Sequence, residues 1–592
     1  MTYQAPVDDI LAALKVAAHL DARLESGVYG DLDADTLEAV IAEAGKFGAE
    51  VLEPLNRIGD KVGNTLVDGV VQSPAGWSEA YRQFVEAGWA ALPCPAEFGG
   101  QGLPEIASMA VAEIWNSTNM SFGLCPLLTQ GAIHALMIAG TDAQKATFLP
   151  PMISGQWTGT MNLTEPHAGS DLGELRSKAV PAGDGSYRIF GTKIFITYGE
   201  HELAENIIHL VLARLPDAPP GTKGISLFVV PKYLVNADGS LGQRNDVVCA
   251  GLEHKLGIHA SPTCVMKYGE GEGAVGYLLG AEHRGLNTMF YMMNQARLAV
   301  GVQGVAIAER ATQRAEAYAR ERRQGAAFGG DRDVMAPIIV HADIRRTLLT
   351  MKALTQASRM ICFATAGEID VSHGNGEAAQ REAAGMKAAL LTPVAKAFST
   401  DAGVEVASMG VQVHGGMGFI EETGAAQHLR DARILPIYEG TNGIQAIDLV
   451  TRKLPLGGGA VVRAYLEELG GLVGEVAASN RPEFGGMAAR LEAALKALAS
   501  ATQWMGGKLR TGPEAALASA QPYLRLFGIA AGGAYLGRAA VDAVRAGKTD
   551  AQAVAIARFF AENISTEAPG LAETVMSGAD VVLAATAERL GA

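Results

Sequence analysis

Glu439 is the one charged residue in the stretch Ile434–Gln445, ILPIYEGTNGIQ, where it sits between Tyr438 and Gly440. A lone acid in such a segment is either a solvated loop residue or a general base in a dry pocket, where loss of water raises its pKa toward the working pH. A second stretch able to do chemistry is MNLTEPHAGSD, Met161–Asp171. Thr164 and Ser170 offer hydroxyls there, and Pro166 and Gly169 bend the backbone so that amides can converge on one ligand. Further along, Arg322 in ERRQ supplies a guanidinium, and Gly415 with Gly416 in QVHGG permits close backbone approach. Both suit a diphosphate. Taken singly, each of these is also an ordinary turn, helix-end cation or helix stop.

The elements that must position these groups follow from composition and pattern. A chain of 592 residues implies several domains, and 48% hydrophobic with 19% charged residues is a globular composition. A formal charge of −15 argues against a nucleic-acid partner, which needs an excess of Lys and Arg. Cys94, Cys125, Cys249, Cys264 and Cys362 are odd in number and lack a CxxC, so neither a disulfide framework nor a zinc site is expected, only buried reduced thiols. The histidines form no HxH or HExxH pair, and no metal is expected. The opening MTYQAPVDDI does not resemble a signal peptide, and no uncharged apolar run reaches the length of a bilayer span. A cytoplasmic protein is expected.

From Val7 to about Ser154 the apolar spacing is helical, with Asp33 or Asp35 as a possible N-cap. EFGGQGLP is a turn, the apolar run through MIAG a buried helix, and TDAQKATFLPPMISG a capped helix ended by its prolines. From about Trp157, SYRIFGTKIFIT, NIIHLVLARL and GISLFVVPKYLV predict strands without intervening helices, hence a small antiparallel sheet or barrel. Long helical patterns return at about Gly285 and suggest a bundle. LPLGGGA is a plausible linker to an Ala-rich helical tail. The expected fold is multidomain α+β, with an N-terminal helical domain over 1–157, a β-barrel domain over 158–283, a four-helix bundle over 284–453 and a helical extension over 454–592.

The ordered series LTEP, GTKIFIT, ARLAVGVQG, YARERRQG, QVHGGMGF and IYEGT resembles the flavin-dependent acyl-CoA dehydrogenase family over Glu97–Ile444. The resemblance implies FAD as cofactor and an acyl-CoA as substrate. It implies that Glu439 takes the α proton of the thioester while the β hydrogen leaves as hydride to flavin N5, giving the trans-2-enoyl-CoA. The thioester carbonyl would accept hydrogen bonds from the backbone N–H of the base and from a flavin ribityl hydroxyl, an oxyanion-type stabilisation. By the same resemblance Leu163, Thr164, Phe195, Thr197 and Thr441 contact FAD, and Arg322, Gln412, Gly415 and Gly416 reach the FAD of a neighbouring subunit. Ser170, Arg297, Tyr438 and Gly440 would contact the acyl-CoA. The alternative position for the base, on the long helix just before Arg297, is Ala296, which cannot serve.

The sequence departs from the family pattern at Phe195, where tryptophan is usual, and at His167, His259 and Gly443. The added segments at both ends resemble an enlarged bacterial branch whose members act on 3-methylmercaptopropionyl-CoA, from dimethylsulfoniopropionate breakdown, or on medium and long fatty acyl-CoAs. The first substrate is the favoured expectation and β-oxidation of longer chains the second. An acyl-CoA oxidase and a DNA-binding relative are remoter alternatives. An electron-transfer flavoprotein is the expected acceptor, and a homo-oligomer, expected to be a dimer because the tail would cover a bundle face, is the expected assembly.

Overall fold

The structure is a computed structural model that describes residues 2–548 and 552–591. Helix α1 is Val7–Ala17 and α2 is Ala34–Phe47. Asp33 is the cap of α2, its Oδ1 accepting from Thr36 N at 2.7 Å, a contact of a kind worth about 1 kcal/mol. Helix α3, Glu105–Ala139, breaks at Asn119 (φ −157°, ψ 90°). The Asn119 side chain repairs the break, donating to Leu52 O at 3.3 Å and accepting from Phe122 N at 3.1 Å. Contrary to expectation, α3 is long and apolar enough by length and composition to cross a membrane, and most of its apolar window is buried. Helix α4, Asp142–Ile153, starts from a capping box of Thr141 and Gln144. Its prolines do not end it as expected: Pro150 and Pro151 lie inside, and the helix continues because Met152 and Ile153 beyond them are buried. Packing outweighs the lost ladder bonds.

The strands of the main sheet are β1 (Trp157–Asn162), β2 (Lys178–Pro181), β3 (Tyr187–Thr197), β4 (Asn206–Arg214), β5 (Ile225–Pro231), β6 (Val247–Leu252), β7 (Thr263–Tyr268) and β8 (Ala274–Leu278). They form one sheet in the order β6-β7-β3-β8-β5-β4-β1, and β2 pairs with both β3 and β4. That double pairing closes the ring β2-β3-β8-β5-β4 into a small barrel. The sheet is mixed rather than antiparallel: β1 and β2 both pair with β4 in parallel. The chain leaves β1, makes the antiparallel pair β2–β3 and re-enters at β4 in the direction of β1. Alternation along β4 feeds two cores. Ile208, Leu210 and Leu212 pack with Ala132, Ile133 and Leu136 of α3, whereas Val211 and Ala213 join Ile189, Phe228 and Met266.

The long helices are α5 (Gly285–Glu321), α6 (Ala342–His373) and α7 (Ala378–His414), followed by the short α8 (Asn442–Asp448). At Gly304 of α5 an added Cβ would stand 2.3 Å from Ser399 O of α7, so only glycine admits this approach. LPLGGGA forms a tight turn with Gly457 and Gly458 in the left-handed region. It leads into the tail helices α9 (Ala460–Ser479), α10 (Met487–Thr511) and α11 (Ala520–Arg545). Helix α11 lies against α6 and α7, so the tail covers a face of the bundle.

The chain divides into two compact units. One comprises Met1–Gly45, Pro104–Ser117 and Arg297–Ala592; the other comprises Lys46–Leu103 and Thr118–Ala296. All five cysteines are buried and free.

Candidate active site

In the helical unit, the segment leading to α8 is a series of tight turns. Ile437 N and Tyr438 N both donate to Ile434 O, and Asn442 N donates to Pro436 O. Thr441 caps α8, its Oγ1 accepting from Ile444 N at 3.3 Å. Within this turn Glu439 is half-buried and takes φ +56°, a left-handed conformation that costs a non-glycine residue about 1–3 kcal/mol. Gly440 follows at φ +82°, and a Cβ there would stand 2.7 Å from Gln445 Nε2.

The strained carbonyls are tied down from several sides. Gln445 Nε2 donates to Glu439 O at 3.0 Å and to Gly440 O at 3.3 Å. Lys396 Nζ, from α7, donates to Gly440 O at 2.9 Å and to Asn442 Oδ1 at 2.8 Å. The Tyr438 hydroxyl donates to Gln303 Oε1, and Gln303 Nε2 donates to Asn116 Oδ1 at 3.0 Å. None of these bonds uses the Glu439 carboxylate. Among the described residues, the Glu439 N–H also meets no protein acceptor.

Burial pushes the Glu439 carboxyl above its ordinary pKa, and the cations of Arg297 and then Lys396 act against that rise. Arg297 is itself buried, with Nη1 3.6 Å from Asp448 Oδ2. The arrangement is a partly buried carboxylate on a rigid turn, under the influence of two buried cations, with a backbone donor beside it. It is suited to abstracting a proton next to a carbonyl.

In the other unit, Leu163 and Thr164 continue from β1 and lie along β3. Ile194 N donates to Thr164 O at 2.9 Å. The fully buried Lys193 donates from Nζ to Leu163 O at 3.0 Å and to Glu165 Oε1 at 2.8 Å, and Glu165 also accepts from Arg176 N and from Ser177 N and Oγ. This buried acid fixes the LTEP turn. A bulge in β3 opposite Val265 of β7, where the register shifts between Cys264 and Met266, lets β3 turn at Phe195, which has φ +60° and is exposed (58%). Thr197 is held by its carbonyl, which accepts from Thr160 Oγ1 at 2.7 Å. Ser170 is exposed on the loop beyond.

A further group lies where α5 and α7 end in the helical unit. Tyr318 stacks on His414 at 4.4 Å, which joins the two helix ends. Arg322 and Gln412 are exposed there, and nothing lies within 4 Å of a Cβ placed on Gly415 or Gly416. Arg322 Nη2 donates to Gln324 Oε1 at 3.2 Å. Among the described residues no group of three or more His, Cys, Asp or Glu side chains could hold a metal ion.

The chain is similar to known proteins along most of its length. Three family models match in order: acyl-CoA dehydrogenase, N-terminal domain (35–156); middle domain (160–269); and C-terminal domain (283–454). A fourth, acetyl-CoA dehydrogenase C-terminal like, matches 465–586 in the tail. The 3-methylmercaptopropionyl-CoA dehydrogenase of Ruegeria pomeroyi is 49% identical over 99% of this chain and 100% of its own. The chain belongs to the acyl-CoA dehydrogenase family. A butyryl-CoA dehydrogenase of Syntrophomonas wolfei is 35% identical over 79% of this acyl-CoA dehydrogenase and 78% of its own chain. The solved structure of Caenorhabditis elegans ACDH-11 in complex with C11-CoA superposes with a TM-score of 0.78 at 21% identity, covering 95% of this chain and 91% of that one, and so shares its fold.

The donor set fits the family's cofactor, FAD. The exposed aromatic ring of Phe195, with Thr197 two residues on in β3 and Thr164 on the segment hydrogen-bonded to β3, suits a flavin's flat face and polar edge. The guanidinium of Arg322, the amide of Gln412 and the open backbone at Gly415 and Gly416 suit a dinucleotide's diphosphate. Of the residues expected from sequence, Glu439, Tyr438, Gly440, Thr441 and Arg297 come together in one unit, and Leu163, Thr164, Phe195 and Thr197 in the other. Lys396, Gln303, Asn442 and Gln445 were not expected. A signal for Lys396 existed: it is the one charge in LLTPVAKAFS.

Proposed function

We propose that this acyl-CoA dehydrogenase oxidises 3-methylmercaptopropionyl-CoA to its trans-2-enoyl-CoA, with Glu439 as the base. The observation that carries the base assignment is the partly buried carboxylate of Glu439 on a turn whose hydrogen bonds leave both that carboxylate and its own N–H uncommitted. The carboxylate takes the α proton. The N–H donates to the thioester oxygen as negative charge develops there, and so makes the α C–H more acidic. Arg297 opposes the burial that would otherwise keep the acid protonated. In the one unit Leu163, Thr164, Phe195 and Thr197 would hold FAD; in the helical unit Arg322, Gln412, Gly415 and Gly416 would serve a neighbouring subunit's dinucleotide. Bound there, FAD supplies the acceptor for the β hydrogen as hydride. Arg297, whose charge acts on Glu439, would contact the acyl-CoA.

The substrate rests on the full-length relative from Ruegeria pomeroyi. Sulfur in place of a methylene alters pocket fit little, and one methylene is worth only about 1–3 kcal/mol in discrimination. The 3-methylmercaptopropionyl and pentanoyl thioesters are therefore expected to differ by about 10-fold or less in kcat/KM, with palmitoyl-CoA well below both. A palmitoyl-CoA value tenfold above that of 3-methylmercaptopropionyl-CoA would transfer the enzyme to long-chain oxidation. Peroxide produced at the turnover rate without added acceptor would make it an oxidase instead of a partner of an electron-transfer flavoprotein.

The assembly proposed is a homodimer in the cytoplasm. Residues at the ends of α5 and α7 serve the neighbouring dinucleotide, and the tail covers a bundle face otherwise open to a second pair of subunits. Light scattering is expected to give twice the mass of the 61.7 kDa chain; four times that mass would remove this role from the tail.

A further inference from the structure

Lys396 is completely buried (0% exposed) in the middle of α7. A buried ammonium ordinarily sits against a carboxylate, because its desolvation is otherwise uncompensated. One is available on the same helix, Asp401, but Asn442 Nδ2 occupies it, donating to Asp401 Oδ1 at 2.7 Å. The two acceptors of Lys396 are neutral, the Gly440 carbonyl and the Asn442 side-chain oxygen. Thr400 completes the cradle, its Oγ1 accepting from Asn442 Nδ2 at 3.0 Å. The positive charge is thus directed at the turn that carries Glu439 and is not neutralised on its own helix.

We propose that Lys396 is a positioning residue for the base, acting twice: its hydrogen bonds fix the turn Glu439–Asn442, and its charge keeps the Glu439 carboxylate ionised. The inference rests on the assignment of Glu439 as base. The charged groups around it are few. Glu439 and Asp401 favour the ammonium, and Arg297 of α5 opposes it. Arg297 is partnered by Asp448 of α8, which also meets Arg452 and Lys453. Arg525 of α11 acts on Asp401. Burial pushes the Lys396 ammonium down to about 7, so its charge is present below that pH and is lost as pH rises through it. The Glu439 carboxyl is pushed up from below. Each charge favours the other, and the acid limb of kcat/KM reports the base while Lys396 is charged.

The test is the pH profile of kcat/KM for the FAD-loaded enzyme with 3-methylmercaptopropionyl-CoA and an artificial electron acceptor. In Lys396→Met the acid limb is expected to move up by about one pH unit, because the cation that favours the carboxylate is gone. Lys396→Arg, which keeps a charge at every pH, is expected to restore the limb to its wild-type position. A residue that only supports the fold would lower the rate equally across pH and leave the limb in place, and that result would overturn the proposal. If the methionine variant does not fold, Lys396→Gln, which keeps an N–H donor for the Gly440 carbonyl but no charge, gives the same readout. Glu439→Gln is measured alongside. Turnover near the wild-type rate in that variant would remove the base assignment and this inference together. An inactive Glu439→Gln with an unmoved limb in Lys396→Met would remove this inference alone.

Discussion

Glu439→Gln is expected to slow the reduction of bound flavin by acyl-CoA by about 10²–10⁴-fold, the usual worth of a general base. The amide has nearly the volume of the acid but cannot take the α proton. The variant should nevertheless fold, because the turn is held through main-chain carbonyls by Gln445 and Lys396 and not through the Glu439 side chain. Burial raises the pKa of this carboxyl, so its charged form is disfavoured in the native state. The sign is that the wild type loses stability as pH rises from the unfolded-state pKa of Glu439 through its raised folded-state pKa, and a neutral amide removes that loss. The variant is therefore expected to be at least as heat-stable as wild type at neutral pH. Stopped-flow absorbance and a thermal melt measure the two effects. A rate within tenfold of wild type would exclude Glu439 as the base.

Arg359→Met is expected to cost about 3–5 kcal/mol of stability, the usual consequence of stranding a buried charge. Arg359 is fully buried, with Nη2 2.6 Å from Glu113 Oε1 and 2.9 Å from Glu309 Oε2. Its Nε is 3.1 and 3.0 Å from the two oxygens of Glu113. The guanidinium joins α3, α5 and α6, and without it Glu113 is left in the core without its counter-ion. Burial already pushes the Glu113 carboxyl up, with Arg359 holding it down. In the variant that acid should take a proton more readily, so the loss of stability should be smaller at pH 5 than at pH 8. Adding Glu113→Gln should recover part of it. Denaturant midpoints at the two pH values check both expectations, and a cost below about 1 kcal/mol would show that the cluster is not an energetic link.

The functional motifs were legible because each concentrates unusual residue types in a short span: Glu439 alone among uncharged neighbours, Gly415 beside Gly416, Thr164 in a turn. The conformations that make them work were not. Nothing in IYEGT indicates that Glu439 takes φ +56°, since that angle is imposed by Gln445 and by a lysine on another helix. Lys193 read as an ordinary strand residue in GTKIFIT, yet it meets Leu163 O and Glu165 across the barrel edge. Long-range side-chain bonds of this sort leave no periodic trace. The same limit applies to the fold. Helix lengths followed the apolar spacing, but the parallel pairing of β1 with β4 depends on where the chain re-enters the sheet, and the break at Asn119 depends on a partner at Leu52. Pro150 and Pro151 signalled an end to α4 that buried Met152 and Ile153 overrode.

The most direct measurement mixes the FAD-loaded enzyme anaerobically with 3-methylmercaptopropionyl-CoA and follows the flavin absorbance, with Glu439→Gln in a parallel syringe. The account predicts rapid bleaching in the wild type, an enoyl-CoA product, and near-absence of bleaching in the variant. Unchanged absorbance in the wild type with FAD bound would contradict the proposed substrate, and equal bleaching in both proteins would contradict the role of Glu439.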